Sequence, residues 1–322
     1  MRLPALLFAL VAFTSLRGAA PSAPIQSARV TVLSTMLAGD PMFKGIGEWG
    51  FAALVQADGY RILFDTGLRP QTVLHNAREL GLDLSDITDV VLSHNHNDHI
   101  GGLLTLRREF AKKNPKALSR VHVGRGIFWS RGKGDDGKEE NAAIALKAAY
   151  EATGGVFVEH AQPTELAPGV WLSGPIARTS PEKNYGTNGQ VVTPAGTTED
   201  TIPEDLALVL DTTRGLVVVT GCGHAGAINT LAHARRAVRD VPIAAAIGGL
   251  HLLTSNDEAL AWTSAQLRSL EVRLLLAGHC TGLEATYRLR ERGGFTRAEA
   301  VVAAVGASYD SVNGLDPLYL AR

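Results

Sequence analysis

The sequence predicts an α/β protein whose helices pack outside a sheet, and three observations predict it. Short apolar runs alternate with stretches of helical spacing along the whole chain. Turn signals such as Ala57-Asp58-Gly59 and Arg214-Gly215 separate paired apolar runs, as hairpins require. Several runs are apolar almost throughout, which fits strands buried on both faces and excludes a helix-only bundle.

In order along the chain, "RVTVLSTM" from Arg29 and "GFAALVQADGYRILFDTG" read as strands, the second a hairpin turned at Ala57-Asp58-Gly59. "PQTVLHNARELGL" has helical spacing, with Gly81 as its C-cap. "ITDVVLS" is a strand, "IGGLLTLRREFAKK" a helix beginning near Ile100, and "SRVHVG" a further strand. Residues 125–165 join a glycine- and charge-rich stretch to an alanine-rich helix and are expected to leave the sheet, as a solvated loop or a substrate-covering lid. In the second half "LALVLDTTRGLVVVTG" reads strand, turn, strand, and the helix "AINTLAHARRAV" follows. The strands "IAAAIGGLHLL" and "VRLLLAGH" enclose the helix "SNDEALAWTSAQLRSL", so two similar αβ halves are expected.

The 322 residues suffice for a sizeable core in one large or two small domains. With 31 Lys+Arg against 32 Asp+Glu, the net charge of -1 lacks the broad positive field that nucleic-acid binding uses. A small-molecule substrate is the expected partner, and nucleic acid is not; the oligomeric state is open. "MRLPALLFALVAFTSLRGAAPSAP" puts basic Arg2, an apolar run over 3–16 and small residues over 18–23 in the layout of a secretory signal. The run is shorter than the roughly 20 apolar residues that span a bilayer. Residues 1–23 are therefore expected to be a cleaved signal peptide, leaving residues 28–322 exported, periplasmic or secreted, without stable membrane insertion. Only Cys222 and Cys280 are present, too few for a disulfide framework, and each stands close to a histidine.

"VVLSHNHNDHIGGL" at 90–103 places His94, His96, Asp98 and His99 within six positions after an apolar strand. At an extended strand end His94 and His96 project to one side, because side chains alternate with period two. Two imidazoles then face one ion. Asp98 and His99 come where the chain turns into the next helix and face a second ion nearby. Packed imidazoles repel as cations and gain little as neutral side chains, so a metal site explains the cluster better than a polar loop does.

"SHNHNDHIGG", preceded by "ILFDTG" at 62–67, resembles the metallo-β-lactamase fold superfamily, whose members stack two sheets between outer helices as an αββα four-layer sandwich. "GLVVVTGCGHAGAINTL" at 215–231, "IGGLHLL" at 247–253 and "GHCTGLEA" at 278–285 are similar to the dihydropterin ribofuranosylaminobenzene phosphate synthase-like branch. The resemblance implies that residues 28–322 form a single catalytic domain of this fold. It also implies that His94, His96, Asp98 and His99 are the metal motif and that His279 is the late histidine serving the second ion. Many relatives carry a further histidine well ahead of a bridging aspartate that follows a strand and glycine. Here "PEDLALVL" precedes Gly221-Cys222-Gly223-His224 instead. His224 is read as the remaining ligand, Cys222 stands where the bridging aspartate would fall, and Asp205 is the alternative. Cys222 is divided between ligand and packing, Cys280 is read as packing near the metal, and Asp65 as orienting a ligand.

Two divalent ions are expected, zinc by default, with iron or manganese suiting the same imidazole and carboxylate set. Such ions lower the pKa of bound water from 15.7 towards about 7. The expected function is hydrolysis of a small ester, lactone, amide or phosphoester by metal-bound hydroxide, with Asp98 and His251 as the catalytic residues. His251 is read as a proton donor or substrate contact, or else as structural. An iron-dependent redox enzyme on the same fold and a non-catalytic metal or small-molecule binding protein are the alternatives. Arg125, Lys133, Arg178 and Lys183 are read as surface charge or as contacts to an anionic substrate. His75, His122, His160 and His233 carry no motif and are read as surface or packing residues.

Overall fold

The structure, a computed structural model, describes residues 22–132, 138–182 and 189–319. The expected signal peptide up to residue 21, Lys133 and Lys183 lie outside the described residues. Among the described residues no helix is long and apolar enough to cross a membrane.

The first sheet begins with β1 (Ala28–Ser34), the hairpin β2 (Ala52–Ala57) and β3 (Tyr60–Phe64), then β4 (Asp89–Leu92), β5 (Arg120–Gly124) and β6 (Val156–His160). Pairing is antiparallel from β1 to β3 and parallel from β3 to β6. Parallel neighbours need crossovers, and these are α1 (Thr72–Glu79), the short α2 (Asn97–Ile100) with α3 (Leu103–Ala111), and α4 (Ala142–Glu151).

The chain then runs through β7 (Thr164–Ala167) and β8 (Val170–Leu172), a separate hairpin of β9 (Gln190–Thr193) and β10 (Gly196–Glu199), and the hairpin β11 (Ala207–Thr212) and β12 (Gly215–Thr220). β13 (Ile243–Gly248), β14 (Leu274–Ala277) and β15 (Ala300–Val302) extend the second sheet parallel to β12. Its helices are α5 (Ala227–Ala237), α6 (Asp257–Ser269) and α7 (Leu283–Gly293). β16 (Ser308–Asp310) and β17 (Gly314–Asp316) return to the first sheet beside β1.

Alternation along the strands makes the four layers. Val55, Phe64 and Val91 point between the sheets, where they meet Leu208, Leu210, Val217 and Val219. Their chain neighbours Leu54, Leu63 and Val90 point outward to Val73 and Ala77 of α1 and Leu103 and Leu106 of α3. On the other side Val209 and Val218 point outward to Leu231 of α5, Leu267 of α6 and Leu289 of α7. Each such side chain stabilises the fold by about 1.5–3 kcal/mol on burial. The result is the αββα sandwich.

Two local expectations change. The alanine-rich helix of the 125–165 stretch does not leave the sheet: α4 packs on α3, and β6 adds a strand parallel to β5. Tyr150 of the alanine-rich helix is fully buried, donates to the Leu118 carbonyl and packs against Phe157. The helix that the sequence starts near Ile100 begins at Asn97, so Asp98 and His99 already lie on a helical turn. His122 and His160 are buried packing residues: His122 Nδ1 stands 2.9 Å from His160 Nε2, and its Nε2 3.0 Å from Asp89 Oδ1.

Candidate metal centre

The chemistry-bearing residues all follow the C-terminal ends of strands. Asp65 follows β3, His94 and His96 follow β4, Cys222 and His224 follow β12, His251 lies three residues past β13, and His279 two past β14. Strands β3–β4 and β12–β14 run parallel within their sheets, so their ends converge on one rim, the usual place for a site in such sheets. Three of these residues, Asp65 (φ 55°), His251 (φ 49°) and His279 (φ 49°), have left-handed backbones. Each costs of order 1–3 kcal/mol, a strain that clusters at functional sites.

Two groups of donors form there. In the first, the rings of His94, His96 and His224 face one another, with centroids 4.6 Å apart for His94–His96 and His94–His224 and 4.9 Å for His96–His224. His94 Nε2 and His224 Nε2 are 3.2 Å apart. Two nitrogens bound at 2.0–2.1 Å to one tetrahedral ion stand about 3.3 Å apart, so the spacing suits a shared cation. In the second, Asp98 Oδ2 lies 3.2 Å from His279 Nε2 and 3.6 Å from His99 Nε2. His279 is fully buried, and apart from the Asp98 carboxylate beside Nε2 its ring nitrogens meet no hydrogen-bond partner among the described residues. A buried imidazole so sparsely partnered is expensive, and an ion at this position would engage its Nε2 and the carboxylate together. The donor atoms of each group lie within 4.8 Å of one another. The residues present therefore fit two divalent ions.

Neighbouring side chains hold these donors in place. Asp65 Oδ2 takes the His99 Nδ1 hydrogen bond at 2.7 Å, and the same oxygen accepts from Ser93 Oγ at 2.7 Å. Ser93 Oγ also stands 2.9 Å from His94 Nδ1, which leaves both Nε2 atoms facing the centre. Gly221 lies directly over this pair: a Cβ there would strike Ser93 Oγ and stand 2.6 Å from Asp65 Oδ2. Only glycine lets the second sheet approach so closely.

Electrostatics follow from burial and crowding. Burial and the neighbouring imidazoles pull His94 well below the usual range, and His96 down to about 4, so both are proton-free at neutral pH. Burial also lowers His99, but the Asp65 charge and hydrogen bond outweigh it and raise the ring to about 9. Asp98 is pushed up by burial, yet His279 and the other imidazoles hold it well below the carboxylate range.

Of the two residues left open by the sequence, Cys222 reaches the donors and Asp205 does not. Cys222 Sγ is 3.2 Å from His99 Nε2. Asp205 Oδ2 accepts from Ala225 N at 2.8 Å, so it braces the loop behind His224, and burial pushes its carboxyl up to about 7. Both cysteines are buried free thiols. His251 packs with its ring centroid 4.5 Å from that of His224, and it also lines a cleft of about 570 Å³ with Glu182, Leu252, Asn256, Trp262 and Thr263. Arg125 is exposed, while Arg178 donates to the His224 and Thr201 carbonyls and so supports the same loop. His75 and His233 bond to backbone carbonyls of Lys44 and Ser173.

Sequence reasoning missed Ser93, the cleft residues Glu182 and Trp262, and Trp49, whose ring centroid lies 5.0 Å from that of His279. Ser93 alone had a signal, its place directly before the motif.

A family model, the metallo-beta-lactamase superfamily, matches residues 50–224. Over 252 residues the chain is 30% identical to the 7,8-dihydropterin-6-methyl-4-(beta-D-ribofuranosyl)-aminobenzene-5'-phosphate synthase of Methanocaldococcus jannaschii, covering 73% of this chain and 81% of that one. A crystal structure of a metal-dependent hydrolase of the beta-lactamase superfamily matches with a TM-score of 0.69 at 27% identity, covering 87% of this chain and 98% of that one. Zinc-bound PqqB from Methylobacterium extorquens shares the fold, with a TM-score of 0.51 at 13% identity and coverage of 88% and 99%. On sequence and architecture together, this chain belongs to the metallo-beta-lactamase superfamily.

Proposed function

We propose that the protein is a metal-dependent hydrolase of a small ester, lactone, amide or phosphoester. The observation that carries this reading is the meeting of two donor groups at one rim, beside a cleft that His251 joins to them. His94, His96 and His224 would hold one ion, and Asp98, His99 and His279 the other. When bound, two divalent ions, zinc by default, supply acidified water and polarise a carbonyl or phosphoryl oxygen.

The chain's own residues do the rest. Asp65 and Ser93 keep the Nε2 atoms of His94 and His99 turned inward. Leu252 and Trp262 give the cleft apolar walls, and Asn256 and Thr263 add polar groups that orient a substrate. His251 Nδ1 is buried without a partner at the border of cleft and centre, so it is placed to pass a proton to a leaving group. The N-terminal sequence supports an exported, periplasmic or secreted setting for this activity.

A second reading, transfer to an acceptor other than water, is favoured by the 30% identity to a protein named a synthase. Protein stripped of metal and reloaded with zinc, assayed against a panel of lactones, esters, amides and phosphoesters, tests both. Hydrolysis that returns with bound zinc and disappears on chelation supports the proposal. Two ions bound with no turnover across the panel overturns it, and turnover only with an added acceptor establishes transfer.

A further inference from the structure

We propose that Cys222 is a shared sulfur ligand: its thiolate stands between the two donor groups and binds both ions. The proposal deepens the hydrolase reading and rests on it for the presence of two ions.

Position is the first argument. Cys222 Sγ groups with His94 and His99, with His224, and with His279, always with ligand atoms within 4.8 Å of one another. It therefore reaches two nitrogens of each group. Among the described residues Asp98 groups only with His99 and His279. The 3.2 Å from Cys222 Sγ to His99 Nε2 is close to the spacing of two ligands on one ion. Sulfur at 2.3 Å and nitrogen at 2.0–2.1 Å on a tetrahedral ion stand about 3.6 Å apart.

Surroundings are the second argument. A cysteine buried for packing faces hydrocarbon, whereas this sulfur lies within 4.8 Å of ring nitrogens of five histidines, His94, His99, His224, His251 and His279. Gly221 brings the loop against Ser93 and Asp65, and Gly223 (φ 68°) turns it back, so the strand end presents the thiol to the centre. Cys280 sits behind, its Sγ 3.7 Å from the Cys222 carbonyl oxygen, and among the described residues it groups only with Cys222 and His279.

On binding, the thiol gives its proton to solvent and the sulfur lone pairs bind the ions; nothing is oxidised or reduced. A thiolate in place of a carboxylate shifts the centre towards thiophilic ions, zinc and cobalt over manganese or magnesium.

The test uses the full chain loaded with cobalt(II), read by metal analysis and by the near-ultraviolet sulfur-to-cobalt charge-transfer absorption. The wild type is expected to bind two ions per chain and show the band. Cys222→Ser is expected to lose the band and Cys280→Ser to keep it. Should Cys222→Ser fail to fold, Cys222→Asp supplies a carboxylate in its place and is expected to bind two ions without the band. A wild type that holds two cobalt ions but has no band overturns the proposal, as does a band that survives in Cys222→Ser or vanishes in Cys280→Ser alone. Because the readout is spectral, a band without turnover on any substrate sinks only the hydrolase reading, and turnover without a band sinks only this one.

Discussion

The two sheets supply the centre in different ways. After β4, one strand end of the first sheet delivers His94, His96, Asp98 and His99 within six residues, and Asp65 from the neighbouring strand end braces them. The second sheet contributes from three strand ends: Cys222 and His224 after β12, His251 after β13 and His279 after β14. The first arrangement is set by local geometry, a short extended stretch and one helical turn. The second depends on sheet register, which pairs Thr220 with Gly248 and Gly248 with Ala277 and so brings three distant segments level.

The largest expected effects come from removing one donor on each side. His96→Ala and His279→Ala should each lower the metal content from two ions to one, and each should cut turnover by more than the 10–100-fold typical of losing an orienting partner. Metal analysis and kcat on the same preparations check both. If either variant keeps two ions, the division of donors into the two groups is wrong.

This contrast also explains what the sequence reveals. The motif is legible because its four donors are neighbours in the chain, and β2, β3, β11 and β12 are legible because each is a short run that is mostly apolar, as strands covered on both faces are. His224 and His279 needed the family resemblance, since nothing local in "GCGH" or "GHC" says that their strands end together. The alanine-rich helix and the strand after it misled because charge and glycine around 131–138 dominate the sequence before them, while their burial rests on few side chains such as Tyr150 and Phe157. The short strands β15, β16 and β17, of three residues each, have too little pattern to read. Ser93 and Trp49 act through contacts made only in the fold.

Intermediate effects should come from the seam between the sheets. Asp65→Asn keeps the shape but removes the carboxylate that accepts from His99 Nδ1, so metal affinity should fall about 10–100-fold. Gly221→Ala, approaching the same seam from the second sheet, pushes a methyl into Ser93 and Asp65. It should cost about 1–3 kcal/mol of stability as well as metal affinity, as overpacked sites do. Zinc competition titrations and denaturant melts check both variants; a Gly221→Ala protein as stable as the wild type would mean that the second sheet does not press on the first at Gly221.

A pH-dependent effect, confined to metal-free protein, appears within the first-sheet motif itself. His96 is held down to about 4, against 6.5 in the unfolded chain. Between those values the unfolded chain binds a proton that the fold refuses, so His96 weakens the fold as pH falls from about 6.5 and the loss is complete near 4. His99 is raised to about 9, so its contribution is fully present below about 6.5 and disappears as pH rises through 9. Each shift corresponds to a swing on the order of 3 kcal/mol. Comparing metal-free wild type with His96→Gln and with His99→Gln by denaturant melts between pH 4 and 9 isolates each group from the other titrating residues. The wild type should lose ground to His96→Gln only on the acid side and to His99→Gln only on the alkaline side. Differences that do not vary with pH would show that crowding on one turn does not drive these two histidines apart, and the local geometry credited to the first sheet would then lack its electrostatic consequence.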